Sequence, residues 1–434
     1  MPSVRTEAQA LLEGDRALAR GLALQLIVPR KDNLVARPWG GRRMHEFKGL
    51  ARDGDPTSDR PIGESFEIAA ADADDEAREH PSAIPLADGS VIGLPQLLEQ
   101  HGETLLGADF IARYGRAFPL LPKFLDVAEL LSVQGHPEGN TEVYVIVAAD
   151  DGATIRLGFA TDIEGTALEA ELSAGRADQQ RLLSLCATRA TPELLQRVLK
   201  PWLATRNAQA KDIEDVLRPL LQTAEHWPEA ARVLTALHAL YWSVLERMNV
   251  IPVAAGQVIY NATPARITAR TGRSASAEVH ALGNPEGREL LALEIRRPGP
   301  TFRAWDNVRF PLRDIDIASA IGALNLQRTA PEEFVIEPRP VPGRTGVSVS
   351  VDCEYFRLEH LGPTPLAAVT VPAEAPHCLH VLEGEVRVYA SDGALVGHLG
   401  RGDSALVPVG VGAYRVVTDQ PSANLVKVNV PIGD

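Results

Sequence analysis

Apolar positions along the chain follow two different periods. From about residue 22 to 160 they come in short runs that alternate with polar residues and stop at Gly, Pro, Asp or Asn. LALQLIVP, ESFEIAA from Glu64, LLSVQGHP from Leu130 and EVYVIVA from Glu142 are examples. Period-two alternation bounded by turn formers predicts strands. A turn is expected at the GGR after Trp39, and one short helix over residues 94–100.

Between about 163 and 248 the period changes. Glycine becomes rare, and Leu and Ala recur every three or four residues in RLLSLCA, ELLQRVLKPWL, DIEDVLRPLLQTA and EAARVLTALHALYWSVLERM. That spacing predicts amphipathic helices. Thr191-Pro192 reads as an N-cap followed by proline at the first helical position. Pro201 and Pro228 read as breaks between helices. Strand patterning returns from residue 250 to about 317 (VIPVAAGQVIYN, ARITART, SAEVHALG, LLALEI), EPRPVPG around 337–343 reads as a linker, and 345–434 is again strands and tight turns. The expected fold is mainly β: two β-barrels in tandem with an α-helical insertion. Residues 22–162 and 249–325 would form one discontinuous barrel, 163–248 the insertion and 333–434 the second barrel.

Composition narrows the function classes. The 434 residues suit roughly two or three domains, and 45% apolar with 23% charged residues is ordinary for a globular protein. A net charge of −14 argues against nucleic acid and against an anionic membrane surface. A small phosphorylated ligand stays compatible where a few arginines gather. Cys186, Cys353 and Cys378 show no paired spacing, which suits a reducing compartment. The first residues carry acids throughout and lack the apolar core of a secretion signal, and no apolar run approaches the roughly 20 residues that span a bilayer. The expectation is a cytoplasmic protein, monomeric or homodimeric, with no nucleic-acid or membrane partner.

The sharpest local chemistry is Ser132-Val133-Gln134-Gly135-His136-Pro137. Residues two apart on a strand share a face, so Gln134 and His136 project together. A hairpin through the turn-rich PEGNT would set Glu142 on the neighbouring strand, and His280 in EVHALG would add a fourth donor. Two imidazoles with two oxygen donors suit zinc, and manganese, iron or cobalt could substitute. The same spacing also fits a satisfied polar pair on a solvated face.

Taken in order, several stretches resemble type I mannose-6-phosphate isomerases, cupin proteins that use one zinc ion. Ile62-Gly63-Glu64-Ser65-Phe66-Glu67 is similar to the family's early Gly-Glu segment, and 118–137 (FPLLPKFLDVAELLSVQGHP) to its Gln-x-His-Pro block. Thr141-Glu142 resembles the carboxylate ligand, and Val279-His280-Ala281-Leu282-Gly283, with 290–294 and Thr301-Phe302-Arg303 downstream, the His-Ala block. The resemblance covers about residues 25–320. It implies one zinc per chain held by Gln134, His136, Glu142 and His280. It also implies an aldose–ketose isomerase acting on a six-carbon sugar phosphate through a cis-enediol. By position, Glu294 resembles the proton-transfer carboxylate and Arg303 the active-site arginine, with Lys123 beside the metal. Arg309 and Arg313 are candidates for phosphate contact, and Glu64 for substrate binding.

The chain departs from the family pattern at several places. No lysine precedes Glu142, the loop from His136 to Glu142 is short, a strand-like stretch (265–277) intervenes before His280, and AWDNVRFPLRD lacks the family's Thr-Pro-Lys. These changes leave open an isomerase of another sugar, phosphorylated or unphosphorylated, or a non-catalytic sugar-binding cupin. In the C-terminal part, His377, His380 and Glu385 are similar to a cupin metal motif, but the spacing is HxxH and Tyr414 stands where a later histidine would lie. A barrel without metal is expected there.

Overall fold

The computed structural model describes residues 5–50, 60–70, 75–137, 140–262 and 278–432. The strand expected at 265–277, and Gly139 in the short loop before Glu142, lie outside the described residues. The structure is mostly sheet with some helices. One sheet has seven antiparallel strands in the order Leu34–Val35, Glu64–Phe66, Leu121–Val127, Leu290–Arg296, Glu142–Ala149, Val258–Tyr260, Val335–Ile336. Facing it is a five-stranded sheet ordered Phe302–Trp305, Val133–Gly135, His280–Ala281, Thr154–Phe159, Met248–Pro252. The C-terminal part repeats the plan with a six-stranded sheet, from Arg339–Pro340 to Ser404–Val407, and a four-stranded sheet. No ladder joins the two sheets of either pair among the described residues.

Period-two alternation explains how the layers stack. In Glu142–Ala149, Tyr144 and Ile146 face the five-stranded sheet and pack with Leu157, Ile155 and Ile251. Val143 and Val145 face the opposite way, into a core shared with Leu358, Val426 and Val428 of the six-stranded sheet and with Leu11, Ala19, Leu97 and Leu98 of the N-terminal helical segments. Burying each of these large aliphatic side chains contributes about 2 kcal/mol. The seven-stranded sheet is therefore apolar on both faces, and its polar residues are concentrated where the site lies.

The helices Gly165–Leu185, Pro192–Ala204 and Trp227–Glu246 cover the outer face of the five-stranded sheet. Their Leu172, Leu195, Leu199 and Leu237 pack against Val133, Ala281 and Trp305. Thr191 caps its helix, accepting from the Leu194 amide at 3.3 Å with Pro192 next in line, and Pro228 opens Trp227–Glu246. Pro201 corrects an expectation: it sits inside Pro192–Ala204 rather than between helices, close enough to its end that only the last turn is disturbed. The short helix expected at 94–100 runs on through Leu94–Leu106. Arg339 and Pro340, read as linker, pair with Val349 and Ser348 at a sheet edge, where proline's missing N–H costs no ladder bond. At the N-terminus, Leu26 and Ile27 hydrogen-bond to Val396 and Leu406 of the C-terminal sheets, each at 2.9 Å.

Candidate functional site

Register builds the site. His280 stands directly opposite Gln134 on the adjacent strand, and Arg303 opposite Gln134 on the other side. Directly opposed residues share a face, so Gln134, His280 and Arg303 form one row on the inner face of the five-stranded sheet. His136 follows two residues beyond Gln134. Glu142 comes from across the interior, on the seven-stranded sheet. The hairpin expected between Gln134-x-His136 and Glu142 does not form. The chain between them crosses from one sheet to the other, and Glu142 pairs with Arg296 instead.

The donors nevertheless converge. Glu142 Oε1 lies 2.7 Å from His136 Nε2, and Glu142 Oε2 lies 3.4 Å from His280 Nε2. One donor atom from each of these three buried residues falls within 4.8 Å of the others, and no other group of three or more His, Cys, Asp or Glu does so among the described residues. The imidazole rings stack with centroids 5.2 Å apart. Gln134 Nε2 approaches His280 Nε2 at 3.1 Å while Gln134 Oε1 accepts from the Ser132 hydroxyl at 2.9 Å. Turning the amide over would bring its oxygen to the same point.

Each imidazole is oriented from behind. His136 Nδ1 meets the Pro300 carbonyl at 3.1 Å and His280 Nδ1 the Glu278 carbonyl at 2.8 Å. A carbonyl accepts, so both Nδ1 atoms carry the proton and both Nε2 lone pairs face inward. His136 Nε2, although close to Glu142, has no aligned hydrogen bond and is buried. A lone pair and a carboxylate oxygen brought this close call for a positive charge beside them, a proton or a metal ion, and an N₂O₂ set suits zinc. Burial works to raise the Glu142 carboxyl, but positive charge on the side of His136 and His280, which a bound cation would supply when the imidazoles are neutral, outweighs it and holds it well below the usual carboxylate range. Burial, opposed by Glu142, lowers His280 and keeps it in its neutral, ligating form.

Beside the donors a cleft of roughly 540 Å³ opens. Its lining includes Arg37, Lys123, Arg296, Arg303 and Arg313 on the cationic side and Glu64, Glu76, Glu142 and Glu294 on the anionic side, over Trp39, Leu125 and Leu131. Lys123 Nζ sits 3.1 Å from Glu64 Oε1 and 3.0 Å from Glu294 Oε2. Glu64 is also bound by Arg37. Burial tends to lower Lys123, yet Glu294 and Glu64 raise it above the ordinary lysine value. Glu294 is raised, first by burial and further by Glu142, against the pull of Lys123 and Arg296. Burial and Arg313 lower Arg303, and its Nε is buried without a hydrogen-bond partner.

The structure thus brings Gln134, His136, Glu142, His280, Lys123, Glu64, Glu294, Arg303 and Arg313 together, with His280 completing the donor row. Arg309, expected at the phosphate, lies outside the cleft. It is buried, with Nη1 on Asp306 at 2.8 Å and Nη2 on the Leu130 carbonyl at 2.7 Å, in a separate pocket with Gln196 and Tyr241. Sequence reading missed Arg37, Glu76, Trp39, Tyr144 and Asn261. In the C-terminal sheets the three cupin-like residues diverge: His377 bonds Tyr414, His380 turns to Ser404 and Phe124, and Glu385 is exposed. An HxxH spacing puts its histidines on opposite faces of a strand.

Comparison with known proteins finds its strongest likeness in the N-terminal half of the first sheet pair. Residues 31–153 match the model of the type I phosphomannose isomerase catalytic domain. A mannose-6-phosphate isomerase of Streptococcus mutans is 30% identical over 134 residues, 28% of this chain, and that match spans 36% of the relative's own length. The phosphomannose isomerase likeness extends further in three dimensions. The mannose 6-phosphate isomerase of Bacillus subtilis superposes with a TM-score of 0.59 at 18% identity, covering 94% of this chain and 100% of that one. A mannose 6-phosphate isomerase bound with zinc and yttrium gives 0.58 at 16%, covering 94% and 99%. At such identities these phosphomannose isomerase structures speak for the fold. No helix among the described residues is long and apolar enough to cross a membrane.

Proposed function

We propose that this chain is a zinc-dependent aldose–ketose isomerase that interconverts mannose 6-phosphate and fructose 6-phosphate by proton transfer through a cis-enediol. The observation that carries the reading is the convergence of His136, Glu142 and His280 beside the Lys123–Glu294 pair in one cleft. Gln134, His136, Glu142 and His280 would hold one zinc ion per chain. When bound, the metal supplies Lewis acidity toward the sugar oxygens.

The chain's own residues supply the rest. Glu294, with its pKa raised by burial, is suited to take a proton from one carbon and return it to the next. Lys123, held by Glu64 and Glu294, fixes that carboxylate in place. Arg303 offers an unpartnered Nε to developing negative charge. Arg313 lines the same cleft and is the better-placed candidate for the phosphate.

The two pairs of facing sheets are read as tandem cupin, or jelly-roll, barrels, residues 22–162 with 249–325 and 333–434, separated by the insertion 163–248. The matching strand plans of the seven- and six-stranded sheets support that reading. A cytoplasmic monomer or homodimer fits the composition. The deciding experiment is a coupled assay for fructose 6-phosphate formed from mannose 6-phosphate, with chelator and with zinc restored. Chelator-sensitive turnover that collapses in His280→Ala supports the proposal. Bound zinc without turnover of this substrate would turn the reading toward another sugar or a binding role.

A further inference from the structure

Asn261 is wholly buried, and no charged or catalytic role accounts for it. It follows directly on the strand Val258–Tyr260, and every polar group it carries is spent on the two sides of the metal centre. Its backbone N–H donates to the Glu142 carbonyl at 3.0 Å. Its side-chain Oδ1 accepts from the Glu142 N–H at 3.0 Å, and its Nδ2 donates to Glu142 Oε2 at 3.1 Å. Its carbonyl accepts from the Glu278 N–H at 3.0 Å, although residues 262–277 separate the two in sequence. The Glu278 carbonyl in turn receives His280 Nδ1 at 2.8 Å. One asparagine therefore links a carboxylate donor of the seven-stranded sheet to an imidazole donor of the five-stranded sheet.

An amide side chain suits this, with a separate acceptor and donor at its end. It must accept from a backbone N–H and donate to a carboxylate at once. An aspartate would set a second negative charge against Glu142, and an alanine would leave both the Glu142 N–H and Oε2 short of a partner. The Tyr144 hydroxyl also donates to Glu142 Oε2. With two donors on Oε2, the oxygen left to face His136 is Oε1.

We propose that Asn261 is a positioning residue of the metal centre. It fixes which Glu142 oxygen is presented and couples that carboxylate to the orientation of His280. The inference rests on the metal reading above and deepens it. Residues behind metal ligands commonly set affinity by 10- to 100-fold.

The test is a zinc dissociation constant, measured by competition with a chromogenic chelator, for wild type, Asn261→Ala and Tyr144→Phe. The visible spectrum of each cobalt(II)-substituted protein and the melting temperature of each metal-free protein are recorded beside it. Asn261→Ala is expected to weaken zinc by about 10- to 100-fold and to alter the cobalt spectrum, and Tyr144→Phe to weaken it by a smaller factor. Should Asn261→Ala not fold, Tyr144→Phe, which removes only a hydroxyl from Oε2, carries the test. A lower metal-free melting temperature with zinc affinity within about threefold of wild type and an unchanged spectrum would show a structural role alone and overturn the inference. Wild type that retains neither zinc nor cobalt would overturn the metal reading itself, and this inference with it.

Discussion

Lys123 and Glu294 face each other in register on neighbouring strands, with Nζ 3.0 Å from Oε2. The matching position of the C-terminal sheet holds Glu359 and Lys427, in register and 2.9 Å apart, with the charges exchanged. The same strand plan thus carries two buried ion pairs, only one of them beside converging metal donors.

Lys123→Met leaves Glu64 and Glu294 buried with their shared cation gone. Removing one partner from a buried pair costs on the order of 3–5 kcal/mol, read as a lower midpoint in urea unfolding. The lysine also lowers the Glu294 pKa, so its loss raises that pKa further. The acid limb of the activity profile should move to higher pH, and the zinc content should stay unchanged.

Lys427→Met is the contrasting case. Its charge is fully buried between Glu359 and Glu374, so stability should fall by a similar amount. Turnover per folded molecule and zinc stoichiometry should match wild type. A loss of zinc in this variant would count against a single metal centre per chain.

Arg303→Met removes the guanidinium whose Nε has no protein partner. Loss of one well-placed donor to developing charge typically costs about 10²- to 10³-fold in kcat. The expected result is that loss with zinc affinity retained, measured by the coupled assay and by metal analysis. Arg309→Met, which empties a structural pair with Asp306 instead, should act on melting temperature rather than on KM.

Asp126 gives the clearest pH signature away from the metal. Burial, and then the neighbouring Glu289 carboxylate, push its pKa up to about 8. Arg43 reaches Glu289 at 3.6 Å, and Asp150 accepts from the Glu289 N–H. A carboxyl raised on folding binds its proton more tightly in the folded state. Its contribution is full below the unfolded value near 4 and is lost as pH climbs toward about 8. Asp126→Asn, which can still donate to Glu289, should flatten this decline. Its melting temperature relative to wild type should rise by a few degrees between about pH 6 and pH 9.

Gly63→Ala probes the wall of the cleft. A Cβ there would come within 2.5 Å of Arg37 Cβ and 2.8 Å of Trp39 Cζ3. Such overpacking costs about 1–3 kcal/mol, and it should displace Arg37 from Glu64. A melting temperature equal to that of wild type would show that this wall yields.

Much of the site could be read from the chain because strand spacing is a local property. Gln134 and His136 are two apart, and Glu142 begins an alternating run whose inward members are Glu142, Tyr144 and Ile146. The partner of that run could not be read, since a turn-rich PEGNT serves a hairpin and a crossing between sheets equally well. Arg309 misled for a related reason: nothing near it in sequence reveals that Asp306 and the Leu130 carbonyl consume its guanidinium. Arg37, Glu76 and Asn261 carry no motif at all. Their meaning comes from what tertiary packing sets beside them.

The donors are shared between layers, with Gln134, His136 and His280 on one sheet and Glu142 on the other. A metal held there is a cross-brace, and the ease with which it escapes gauges how firmly the two layers are seated. Loosening the filling between them, at Ile146 or Leu157 for example, should hasten metal escape well before the molecule melts. Retention of the ion would then report on mechanical slack in a region that never touches it.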